Sequence, residues 1–194
     1  MLRPLYIIGS LYVAFSALVL LTGSPATGHV GASGGPPATT PYAGPAGEWF
    51  QAIRPHCNSV EVATRHQWMP PPATEEGWAY SAACYALAGK IDLARQAIER
   101  VSASDRWRAA GIVFNVAHPV ADAGDDLSAG PIMELVVEFW PNHYMALYHA
   151  GMSRYALGHR ASAEAHLRKF LEYYDQNDGW RRNALAALAE MEED

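Results

Sequence analysis

With 194 residues, half of them hydrophobic and only 18% charged, the chain can bury a core and is not a disordered polymer. Its formal net charge of -6 excludes the basic face that nucleic-acid binders carry, so no nucleic-acid partner is expected. Two cysteines, Cys57 and Cys84, are too few for a disulfide-built scaffold and lack metal-ligand spacing.

The first element in chain order is an apolar run, Leu5–Leu21, broken only by Gly9, Ser10 and Ser16 and preceded by Arg3. It is long for a signal-peptide core and just long enough for a spanning helix, and no clean small-x-small cleavage site follows it. Residues 1–22 therefore read as a membrane anchor in the form of an apolar helix, with a cleaved signal segment as the alternative. Positive charge on the N-terminal flank keeps that end in the cytoplasm. Either reading exports the rest: anchored with the domain on the extracytoplasmic, periplasmic face of a bacterial cell envelope, or secreted if cleaved. Residues 23–46, rich in Gly, Ala, Pro and Thr, show no periodicity and read as a flexible linker.

A helical domain is expected over 47–194. GEWFQAIR (Gly47 to Arg54) is a first helix stopped by Pro55, and Asn58-x-x-Glu61 is a capping-box-like start for a short second helix through Gln67. MPPPAT then breaks it. Export puts Cys57 and Cys84 in an oxidising compartment, where a pair can bridge. Cys57 lies just before the short helix and Cys84 on the one that follows, so the two are a candidate disulfide. Sequence does not supply the Cβ geometry that decides it.

Three glycines then recur in similar contexts, YALAGK at Gly89, VADAGD at Gly124 and YALGHR at Gly158, spaced 35 and 34 residues apart. Other columns agree once these are aligned. Seven residues before each glycine stand the small residues Ala82, Ala117 and Gly151; five after stand Ala94, Ala129 and Ala163. Large apolar residues occupy further columns: Trp78, Val113 and Leu147; Ile98, Met133 and Leu167; Val101, Val136 and Phe170. Small residues at two fixed places let paired helices cross closely, while the large ones fill the space between pairs.

This pattern resembles the tetratricopeptide repeat family, whose unit is a helix–turn–helix of about 34 residues. The units fall at about 75–108, 110–143 and 144–177, with a terminal capping helix over 178–192 whose apolar stripe is Trp180, Ala184, Leu185, Leu188 and Met191. The resemblance implies an all-α, right-handed solenoid of helical hairpins with flanking helices. Pro141-Asn142 fits the family's inter-unit turn, with Asn142 as the N-cap of the next helix. Three residues depart from the pattern: Arg154 in an otherwise apolar or aromatic column, Pro119 late in a helix, and Pro131, tolerable only within a first turn.

The resemblance also implies that the first helix of each unit lines a concave groove. Inward positions are Glu76, Ala79, Ala83 and Ala86, then Gly111, Phe114, His118 and Ala121, then Met145, Tyr148, Met152 and Tyr155. Phe114, His118, Asp122, Met145, Tyr148, Met152 and Tyr155 are the candidate binding residues, Met and Tyr suiting adaptable contact with apolar side chains. The cations with which relatives grip C-terminal carboxylates are missing at these positions, so that activity is not carried over.

The one string with chemical promise is His118-Pro-Val-Ala-Asp122-Ala-Gly-Asp125-Asp126, an imidazole and three carboxylates that suit a metal or acid–base work. Aspartates also favour turns and helix ends, the simpler explanation for three of the four. His143, His149, His159 and His166 have no metal-motif spacing and read as surface or interface residues. Cys84, in SAACYALAG, reads as a small hydrophobe. The expected function is a membrane-tethered scaffold that binds a protein or peptide segment and is not an enzyme, with no cofactor and no metal. A metal-binding protein or metal-dependent enzyme centred on His118, Asp122, Asp125 and Asp126 is the alternative, and a self-associating structural subunit the third reading.

Overall fold

The computed structural model describes residues 40–193. The expected anchor over 1–22 and all of the linker before residue 40 lie outside the described residues. Among the described residues there are nine α-helices, one short 3-10 turn and no strand, an all-α, helical repeat-like fold. No helix among them is long and apolar enough to cross a membrane.

Helix α1, Ala46–Ile53, buries Trp49, Phe50 and Ile53 on one face, and the Trp49 Nε1–H donates to the Met69 carbonyl at 2.9 Å. Pro55 turns the chain into the 3-10 segment Arg54–His56. Asn58 closes the turn that leads into the next helix rather than capping the helix itself: its Oδ1 accepts from the backbone N–H of Val60 and Glu61, and its Nδ2 donates to Glu61 Oε2 at 2.9 Å. Helix α2, Val62–Trp68, follows. The disulfide between Cys57 and Cys84 ties this N-terminal pair to α3, Glu75–Leu87. His66, buried on α2, hydrogen-bonds the Val62 carbonyl and the buried Ser81 hydroxyl of α3, so two polar groups satisfy each other inside the core.

Three helical hairpins come next: α3 with α4 (Ile91–Glu99), α5 (Arg106–Asp122) with α6 (Asp126–Phe139), and α7 (Tyr144–Ala156) with α8 (Arg160–Tyr173). Gly89, Gly124 and Gly158 end the first helix of each at positive φ, 69°, 77° and 75°. All three close with the same pair of bonds. The glycine N–H donates three residues back, at 2.9 Å in each case, and the next N–H donates five residues back, to Tyr85, Val120 and Arg154. This left-handed terminus favours glycine at every one of them. The small columns are buried as the spacing predicts: Ala82, Ala117 and Gly151 on the first helices, and Ala94, Ala129 and Ala163 on the second. A Cβ on Gly151 would come 2.6 Å from Leu167 Cδ2 and 3.2 Å from the Leu167 backbone nitrogen.

We expect Ala129→Leu and Ala163→Leu each to lose about 1–3 kcal/mol by overpacking these crossings. Urea unfolding reads the loss; midpoints unchanged in both variants would contradict the register.

Two of the three departures, Arg154 and Pro131, have local explanations; Pro119 stands inside α5, near its end. Arg154 leaves the apolar column because its guanidinium pairs with Glu134 of α6, Nε to Oε1 at 2.6 Å, and His166 of α8 approaches the same carboxylate at 3.6 Å. Burial pushes the Glu134 pKa up, but the hydrogen bonds from His166 and Arg154 outweigh it and hold it at about 2. The cap of α7 is His143, not Asn142: its Nδ1 accepts from the Ala146 N–H at 3.2 Å. Pro131 lies beyond the first turn of α6, contrary to expectation. It removes the donor for the carbonyl of Leu127, an exposed residue that water reaches.

Side-chain size also sets how far apart successive hairpins stand. Ala79, Ala82, Ala83 and Ala86 of α3 let α5 lie close along it with Ala109, Ala110 and Ala117. Rings join the small residues where the second hairpin meets the third. Phe114 of α5 lies against His143, the cap of α7, and His118 against His149 of α7. That ring-filled seam holds the candidate site. Helix α9, Gly179–Glu193, closes the end of the stack against α7 and α8. It buries Ala184, Ala187 and Leu188, whereas Leu185, expected in the stripe, faces solvent.

Candidate functional site

The expected groove is only partly open. Phe114 is 7% exposed, its ring stacked on His118 at 4.7 Å and tilted on His143 at 4.2 Å. Tyr148 is 5% exposed, enclosed by Phe170 at 5.2 Å and by Trp180 at 4.9 Å, with Asn183 donating to its hydroxyl at 3.5 Å. Met145, Met152 and Tyr155 are half-buried against the same cluster, and the Tyr155 hydroxyl donates to Glu190. Trp180, Asn183 and Glu190 all belong to α9. The terminal helix thus covers the inward face of the third hairpin, and neither Phe114 nor Tyr148 is an open anchor.

What remains open lies toward the first two hairpins. A hollow of about 270 Å³ between α3 and α5 is lined by Glu75, Glu76, Ala79, Arg108 and Ile112. The Arg108 guanidinium lies 5.2 Å over the ring of Trp107, which begins a chain of aromatic contacts. Trp107 meets Trp140 at 5.1 Å, Trp140 meets His143 at 4.5 Å, and Tyr144 stacks on Tyr174 at 5.2 Å. These rings come from α5, from the turn after α6, from the start of α7 and from the turn after α8, so one edge spans the second and third hairpins. Trp107 and Tyr144 stay 42% and 43% exposed. Sequence reading missed this edge because its rings sit at helix ends, outside the columns that repeat.

The second constellation is in the seam between α5 and α7. His118 and Asp122 stand four residues apart and therefore share one face of α5. The His118 Nε2 lies 3.4 Å from Asp122 Oδ1 and 3.1 Å from the Nε2 of His149, on α7, while His149 Nε2 lies 3.7 Å from the same Oδ1. One donor atom from each residue could face a single ion. His149 is 7% exposed, its ring edge-on to Tyr148 and Trp180. Burial, then the neighbouring His118, push its pKa down to about 4 against the opposing pull of Asp122. Its imidazole is neutral at ordinary pH, with a lone pair available.

His149 is therefore neither a surface residue nor separate from the His118 segment. A polar residue within the buried run 146–151 was the available signal. Asp125 and Asp126 are elsewhere. Asp125 Oδ1 caps α6 by accepting from the Ser128 N–H at 3.1 Å, and the Asp126 carbonyl accepts from the buried Ser153 hydroxyl at 2.7 Å. The four polar residues of the string thus divide into two that face the seam and two that build a helix start.

Comparison of the chain with protein-family models, curated proteins and solved structures gives no match.

Proposed function

We propose that this protein is an exported, membrane-tethered scaffold, a right-handed stack of tetratricopeptide-like hairpins that docks a segment of a partner protein and does no chemistry itself. The observation that carries the reading is the aromatic edge. Half-exposed Trp and Tyr offer large, rigid contact area with a polar tip on each ring, the residue types that anchor protein interfaces. The adjoining hollow adds apolar floor at Ala79 and Ile112 between Glu75, Glu76 and Arg108. An extended segment with an apolar side chain and a free backbone suits that mixture.

The test begins with capture of a partner from native membranes by the full chain, followed by its affinity for variants. Trp107→Ala and Tyr144→Ala are expected to weaken that affinity by about 1–2 kcal/mol, or roughly five- to thirtyfold, with the fold intact. Binding indifferent to both substitutions would overturn the docking site. If the captured species is a second copy of this chain, with mass in solution rising accordingly, the self-associating reading replaces the scaffold.

A further inference from the structure

We propose that His118, Asp122 and His149 form a binding site for one late first-row divalent ion, of which zinc is the type, with a coordination position left open to solvent. The site is independent of the docking edge. It rests on three distances and on what surrounds them.

The donor atoms form a triangle with sides of 3.1, 3.4 and 3.7 Å. A point equidistant from all three lies about 2.0 Å from each, which is the length of zinc–imidazole and zinc–carboxylate bonds. No side chain has to move far to ligate. The set is two imidazole nitrogens and one carboxylate oxygen, a mixture that suits zinc and its neighbours. Calcium and magnesium prefer oxygen alone.

The surroundings hold the two imidazoles in place. Phe114 stacks on the His118 ring, Tyr148 and Trp180 wall the His149 ring, and the two helices fix the spacing. Ligands whose orientation is set by packing have little left to order when an ion arrives. The opposite side is open: Asp122 is 47% exposed and the His118 side chain is half-buried. Three protein ligands and one free position is the arrangement in which zinc accepts water or an incoming group.

Among the described residues, the other histidine–carboxylate pairs do not reach this count. His166 meets Glu134, but that carboxylate is taken by Arg154. His56 and Glu61 offer two donors, with Arg65 nearby. The competing account of the seam is a neutral hydrogen bond from one imidazole to the other, with no ion.

Zinc titrated calorimetrically into the chelator-treated full chain separates the two accounts, with cobalt absorption as a second probe of the ligand set. One equivalent is expected, with affinity falling at least tenfold in Asp122→Asn and His118→Gln. Asp125→Asn and His166→Gln are expected to bind as the parent does. Asp122 is too exposed for its amide to endanger folding, so loss of zinc in that variant is loss of a ligand. Two results overturn the proposal: no saturable equivalent in the parent, or parent-like binding in both Asp122→Asn and His118→Gln. Either leaves a histidine–histidine hydrogen bond only.

Discussion

Tyr148→Ala is expected to destabilise the fold by about 3–5 kcal/mol, the range for truncating a large aromatic in a packed core. The ring stands at the junction of α7, α8 and α9, against Phe170 on one side and Trp180 on the other. Its removal leaves a cavity beneath Trp180 that neighbouring Leu147, Leu167 and Leu188 cannot fill without shifting helices. Tyr148→Phe removes only a long hydrogen bond from Asn183 and is expected to cost about 1 kcal/mol or less. As an open groove residue, Tyr148 would instead lose partner affinity on truncation and leave folding untouched. Urea unfolding decides: an alanine variant with the parent's midpoint would show that α9 does not cover this face.

Removing the Cys57–Cys84 bond is the second large effect. The bridge closes a loop of sequence separation 27, for which chain entropy gives about 3.5 kcal/mol of stabilisation. Both residues are buried, Cys84 fully, so Cys57→Ala with Cys84→Ala is a milder probe of the bridge than serine. Equilibrium unfolding of the parent with and without reductant, beside the double variant, is expected to show a lower urea midpoint in the reduced parent and in the double variant. Coincident curves for all three would mean that packing of Trp49, Phe50 and Ile53 alone secures α1 and α2.

The helical hairpins were legible because three glycines at positive φ impose the same helix terminus and the columns on either side alternate small with large. These are local requirements, and they repeat. The seam was not legible. His118 and His149 are 31 residues apart in different units, and they meet in a seam that Phe114 and His143 also line. Periodicity assigns a residue to a face but not the width of the gap that the face looks across. The same limit explains Phe114 and Tyr148. Both were placed on the inward side, but whether a side chain there meets water depends on α9 and on neighbouring rings. Leu185 shows it at smaller scale: Ala184 and Leu188 of the expected stripe are buried, while Leu185 beside them faces solvent.

The disulfide also redirects mechanical load. Tension entering from the N-terminal side of α1 can unravel the chain as far as Cys57, where the force crosses through sulfur to Cys84. Helix α2 and most of α3 lie within the bypassed loop and carry none of it. At about 3.4 Å per extended residue, some ~90 Å of contour stays hidden from a pull. A chain so stapled lengthens by little before the load reaches the alanine-packed helices.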